Sequence, residues 1–209
     1  MYDIKYFKEE DPEAVIAFMK AHPFIVLTGT DANHQPIATH IPVLMEEREG
    51  KIFLQAHVMR KQDHTNGFEM NPDVLAIFHG ANTYVSASLY ETKQVASTWN
   101  YQAVHARGVI RFLDDAGLYD LLVRLTAHFE TDPTSPAQVK HLDETYVRNN
   151  MKAIIAFEIE VTDLKHVFKL SQNRDKQSFE NISNHLQKGD SESQKIAEEM
   201  EKRKAQIFK

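Results

Sequence analysis

The chain contains no cysteine among its 209 residues, which excludes disulfides, thiolate zinc sites and cysteine nucleophiles. Glycine is also sparse: the seven glycines are scattered, and none forms a Gly-rich phosphate loop of the GxGxxG or Walker kind. No apolar run reaches the length of a membrane span, and Met1-Tyr2-Asp3-Ile4-Lys5 does not open a signal peptide. A cytoplasmic protein is therefore expected. The formal charge of −6 argues against a broadly basic nucleic-acid face. His57, His64, His79 and His105 fall in one half of the chain without HExxH or other paired spacing, so no metal site is expected. One axial histidine would still suffice for haem.

What is present is a chain of short strands. Asp11-Pro12 opens a helix as N-cap and first helical residue, and Pro23 ends it. Strands are then expected over 24–28, 37–44, 51–57, 73–78, 84–89, 101–113 and 155–161. Glu49-Gly50 makes a hairpin turn, and Pro42 marks an edge strand or a bulge. Asp114 and Asp115 cap a helix whose stripe is Leu118, Leu121, Leu122, Leu125 and Phe129. Helices are expected over 175–186 and 191–207, the second opened by a capping box of Ser191 and Gln194. Short strand spacing of this kind favours an antiparallel barrel over a βαβ sheet. The expected class is α+β, mainly β, with peripheral helices and a C-terminal helix pair. The barrel and its inserted helices take residues 1–170, and 171–209 form a tail packed on its own protomer or swapped between protomers.

Three clusters carry candidate chemistry. His57 with Arg60 and Lys61 follows a hydrophobic strand, and a cationic strand end can clamp a phosphate. Trp99, the only tryptophan, stands with Tyr84, Ser86, Asn100, Tyr101 and His105. Large rings beside fixed polar groups suit a flat, polar-edged ligand, although a Trp-anchored core strand has the same composition. Third comes the polar run Lys169-Leu170-Ser171-Gln172-Asn173-Arg174, either a strand exit or a rim that offers amides to a ligand. A phosphorylated, ring-bearing ligand accounts for the first two clusters, and flavin mononucleotide fits best.

Tyr84-Val85-Ser86 with Tyr90, Thr98-Trp99-Asn100-Tyr101, Val104-His105, and Lys169-Leu170-Ser171-Gln172-Asn173 together resemble the PaiB family. These are FMN-binding negative transcriptional regulators with the split barrel of pyridoxamine-phosphate-oxidase-like proteins. The resemblance implies an FMN-binding antiparallel split β-barrel and a homodimer with flavin sites at its interface. It further implies that His57, Arg60 and Lys61 hold the phosphate, and that Leu54, Gln55 and Ala56 line the isoalloxazine through backbone. Trp99, Asn100 and Tyr101 would come from the other subunit or a neighbouring strand, and Lys169, Ser171, Gln172 and Asn173 would form a rim. A flavin-dependent oxidoreductase and a flavin-free split barrel binding another small ligand or haem are the alternatives, and partner or DNA contact by the C-terminal helices belongs to the regulator reading. The chain departs from the family pattern at Ala87, Leu89 and Ser97, where the pattern has Pro, Trp and Pro.

Overall fold

The computed structural model describes residues 1–208. It contains seven strands in one sheet of order β2-β1-β5-β6-β7-β4-β3, together with six α-helices. The strands are β1 (Phe24–Thr30), β2 (Pro36–Pro42), β3 (Leu44–Arg48), β4 (Lys51–Met59), β5 (Asp73–Val85), β6 (Thr98–Phe112) and β7 (Ile154–Lys169). The helices are α1 (Pro12–Ala21), α2 (Asp63–Met70), α3 (Asp115–Phe129), α4 (Glu144–Met151), α5 (Lys176–Leu186) and α6 (Ser191–Ile207). The α+β class with an antiparallel sheet is as the sequence predicts. Among the described residues no helix is long and apolar enough to cross a membrane.

The chain divides into two compact units. One joins Met1–His22, His79–Val104 and the residues from Lys165 onward; the other joins Pro23–Phe78 and His105–Leu164. We call them the helical unit and the sheet unit.

In the sheet unit, hairpins set the register. Asp31 closes the β1–β2 turn by accepting from the amides of Asn33 and Gln35. Glu49 and Gly50, both with positive φ, close β3–β4. Pro42 ends β2, which lies at the sheet edge, where a missing N–H removes no ladder bond. Leu118 and Leu121 of α3 pack on Ala156 of β7. Asp114 caps α3 by accepting from the Gly117 amide. Phe129, expected on the buried stripe of α3, is instead exposed in the helix's last turn. At Gly108 of β6, an added Cβ would lie 2.4 Å from the Glu160 carbonyl oxygen, so only glycine lets the backbones approach this closely.

The helical unit is held by rings and helix faces. Asp11 caps α1 through the Glu13 amide, and Phe18 of α1 meets Phe168 at 5.1 Å between ring centroids. Phe179, Ile182 and Leu186 bury the inner face of α5, and Ile196, Ala197 and Met200 that of α6. The expected strand over 84–89 does not form. β5 runs on to Val85, and Ala87–Leu89 is a 3-10 turn because the Ser86 hydroxyl accepts from the Ser88 amide. The cap of α6 is Asp190, accepting from Ser193, while Gln194 reaches back to the Gly189 carbonyl. The helix thus starts on a carboxylate rather than on the expected Ser191 box.

Candidate flavin and anion site

The residues singled out in the sequence fall in both units. Leu54, Gln55, Ala56, His57, Arg60, Lys61 and His105 belong to the sheet unit; Tyr84, Ser86, Trp99, Asn100, Tyr101, Lys169, Ser171, Gln172 and Asn173 belong to the helical unit.

On β4 the side chains alternate. Leu54 and Ala56 are fully buried, opposite Ile159 and Phe157 of β7. Gln55 points the other way, where its amide oxygen accepts from Arg124 (2.7 Å) and its amide nitrogen donates to Glu158 (2.6 Å). These three residues are closed within the protomer. His57 is not: its Nδ1 is buried and has no hydrogen-bond partner among the described residues, and burial pushes the imidazole pKa down. Such an orphaned atom costs free energy unless a partner completes it. Arg60, the expected phosphate fork, is partly committed. Its Nε donates to the Ile154 carbonyl (2.7 Å), and Nη2 lies 3.4 Å from Asp115. Lys61 follows in a left-handed turn with its side chain exposed. Burial also lowers the pKa of His105.

In the helical unit, β6 presents opposite faces at successive residues. Trp99 points outward, more than half exposed, with its ring edge-on to that of Tyr84 at 6.0 Å. Tyr84 is equally open. Tyr101 shares the Trp99 face, and burial, then Tyr2, pushes its hydroxyl pKa up. Asn100 faces inward, fully buried, with its oxygen accepting from the Ser171 hydroxyl at 3.0 Å.

Asn100, Lys169, Ser171 and Asn173 line one pocket of about 230 Å³. Thr98 and Arg174 complete its polar lining, and Tyr2, Ile4 and Phe7 supply an apolar wall. Lys169 Nζ donates to the Thr98 hydroxyl and sits 5.7 Å from the ring centres of both Tyr2 and Phe7. Gln172 is spent on its own loop, accepting from Leu170 N and donating to the Phe168 carbonyl. Ser86 likewise serves the 3-10 turn. Sequence reasoning therefore found four lining residues and passed over Thr98, Arg174 and the N-terminal wall. Arg174 ends the polar run that begins at Lys169, so the signal is present in the sequence. The pairing of Tyr2 and Phe7 with Lys169 has no local signature.

At two of the positions that depart from the family pattern, the residues have become partners. The Ala87 amide donates to the Ser97 hydroxyl at 2.9 Å. Prolines at both positions could make no such bond, having neither N–H nor hydroxyl. Here a hydrogen bond takes over the fixing of the loop.

Comparison with known proteins gives the family and the fold. Residues 1–163 match the family model described as "Putative FMN-binding domain". The chain belongs to this FMN-binding family. FMN is the family's cofactor; taken separately, the sheet unit has an unpartnered polar atom in His57 Nδ1, and the helical unit an open aromatic pair in Tyr84 and Trp99. Within the FMN-binding family's reach, the chain is 32% identical over 209 residues to "Protease synthase and sporulation protein PAI 2" of Bacillus subtilis, covering 99% of this chain and 100% of that protein. Among solved structures, it resembles the FAD and heme binding protein of Mycobacterium smegmatis: TM-score 0.58, 14% identity, 77% of this chain and 72% of that one. It also resembles the flavocytochrome Anf3 of Azotobacter vinelandii: TM-score 0.56, 16% identity, 80% and 72%. The fold is the split barrel.

Proposed function

We propose that the protein is a homodimeric, FMN-dependent transcriptional regulator of the PaiB type. The observation that carries this reading is the Tyr84–Trp99 pair: two large rings, each 53% exposed, standing on a sheet. Exposed aromatic pairs of this size mark a surface that a ligand or a second chain covers. In our reading both cover it. The flavin lies against the Trp99 face of the partner subunit, and the β4 end, with His57 and Lys61, addresses its polar edge. Bound FMN supplies reversible electron transfer at the isoalloxazine, while the chain's part is to bind, orient and exclude water. The regulatory role draws support from full-length relation to a Bacillus subtilis protein named for protease synthesis and sporulation.

Because Trp99 is the only tryptophan, its fluorescence reports the site directly. Adding FMN should quench it saturably and give the bound-flavin visible bands. A Trp99→Phe protein should keep the bands but lose the quenching. Unchanged Trp99 emission and a colourless protein reject the flavin, and a monomer in sedimentation with saturating FMN rejects the dimer. For the regulator, affinity for promoter DNA should fall steeply with salt, as phosphate contacts require; absence of DNA binding with and without FMN rejects that role.

A further inference from the structure

Lys169 and Arg174 stand a few residues apart at the exit of β7, and neither has a carboxylate partner among the hydrogen bonds and ion pairs of the described residues. The Arg174 guanidinium carbon lies over the Tyr90 ring, 4.0 Å from its centre, and Lys169 is held by the Thr98 hydroxyl and two aromatic rings. Both cations are thus positioned by neutral groups, which orient a charge without neutralising it. The nearby acids are turned elsewhere. Asp175 accepts from the Ser178 amide and hydroxyl as the α5 cap, and Asp3 pairs with Lys8. Burial, and then the Arg174 charge, push the Lys169 pKa below its ordinary value. Two half-buried like charges without a counter-charge oppose folding. An anion between them removes that cost.

The rest of the pocket suits an oxyanion. Thr98 and Asn173 add neutral hydrogen-bonding groups, and the Ser171 turn is locked by the Asn100 amide and by Arg174 N donating to the Ser171 carbonyl. Its volume of about 230 Å³ lies below the roughly 300–1,000 Å³ that holds a whole drug-sized ligand, so it takes an end group. We propose that Lys169 and Arg174, with Thr98 and Asn173, form an oxyanion pocket that holds the phosphate of a small phosphorylated ligand. That phosphate belongs either to the flavin itself or to a separate phosphate monoester. The pocket stands on groups of the helical unit alone and does not require the flavin reading to hold.

The test compares the full-length protein with a Lys169→Gln/Arg174→Gln variant by calorimetry, using inorganic phosphate, FMN and riboflavin as probes. Inorganic phosphate should bind the parent and bind the variant at least tenfold more weakly. An FMN affinity that falls with it, while riboflavin is unaffected, assigns the pocket to the flavin's phosphate. An unchanged FMN affinity assigns it to a separate phosphate monoester. Equal phosphate affinity in parent and variant, or no phosphate binding by the parent, overturns the proposal. If neither flavin binds the parent, the flavin reading fails and the phosphate comparison still decides the pocket. Arg174→Lys, which keeps the charge, should retain most phosphate binding, whereas a variant merely misfolded would not be rescued by it.

Discussion

Two pairs of cations look alike in the sequence and differ in the fold. Arg60-Lys61 follows one strand, while Lys169 ends another and Arg174 lies just beyond it. In the sheet unit, Arg60 is drawn into the protein's own hydrogen bonding: its Nε closes the Ile154 carbonyl at the start of β7. In the helical unit, Arg174 rests on an aromatic face and Lys169 on a hydroxyl, so both charges stay open to a ligand. A cation near a strand end is thus evidence of a phosphate site only when the chain has not already used its donors. A third arginine marks the structural extreme. Arg203 of α6 donates to Glu9 at 3.1 Å and pairs with Glu199, and all three side chains are at least three-quarters buried.

Arg203→Ala should therefore have the largest effect. It removes the guanidinium from two largely buried carboxylates, leaving among the described residues only the Asp11 amide for Glu9 and only Lys202 and Gln102 for Glu199, a loss of about 2–3 kcal/mol. For a chain of this size that lowers the thermal midpoint by roughly 5–10 °C. The pairing also sets a sign with pH. The Glu199 pKa is opposed by burial, which raises it, yet lowered overall by its bonds to Lys202 and Arg203. This stabilisation is present above the ordinary value of 4.5 and is lost as pH falls through the depressed folded value. Calorimetric midpoints on either side of pH 4.5 should converge between parent and Arg203→Ala as the pH falls; a constant gap would contradict the pairing.

Arg60→Ala should cost about 1–1.5 kcal/mol in urea unfolding, through the Ile154 carbonyl left without its donor. Asp115, almost wholly exposed, adds little. A variant as stable as the parent would return Arg60 to the ligand-binding groups and erase the contrast with Arg174.

His57 gives a smaller, pH-resolved effect. Burial lowers its folded pKa below the ordinary 6.5, so the unfolded chain binds the proton more readily. Its contribution is complete above pH 6.5 and is lost as pH falls from there toward the folded value. His57→Phe should flatten this limb of a stability–pH curve, and an unaltered slope would show that the imidazole titrates as if exposed.

The local features were legible in the sequence: the caps Asp11 and Asp114, the Glu49-Gly50 turn, and the helix over 175–186. Each is decided by residues a few positions apart. Two of the local misreadings, the strand over 84–89 and the start of α6, turn on one hydroxyl and one carboxylate competing for a nearby amide, and the third, Phe129, falls in the last turn of its helix. The site was legible only in its residue types. Asn100, Lys169, Ser171 and Asn173 could be chosen from one polar run and one aromatic block. That Arg60 meets the Ile154 carbonyl, or that Tyr2 and Phe7 wall in Lys169, depends on contacts far apart in sequence that no periodicity encodes.

The smallest expected effect is the sharpest. Lys169→Gln/Arg174→Gln removes two charges, yet in the ligand-free protein its stability should stay within about 0.5 kcal/mol of the parent. Loss of the Arg174 contact with Tyr90 is worth roughly 0.5–1 kcal/mol. Relief of the repulsion that lowers the Lys169 pKa acts in the opposite direction. Added phosphate should then raise the unfolding midpoint of the parent and leave that of the variant where it was, because only a ligand bound by the folded state stabilises it. A variant destabilised as much as Arg60→Ala would show that these cations serve the fold. The two strand ends would then be alike after all.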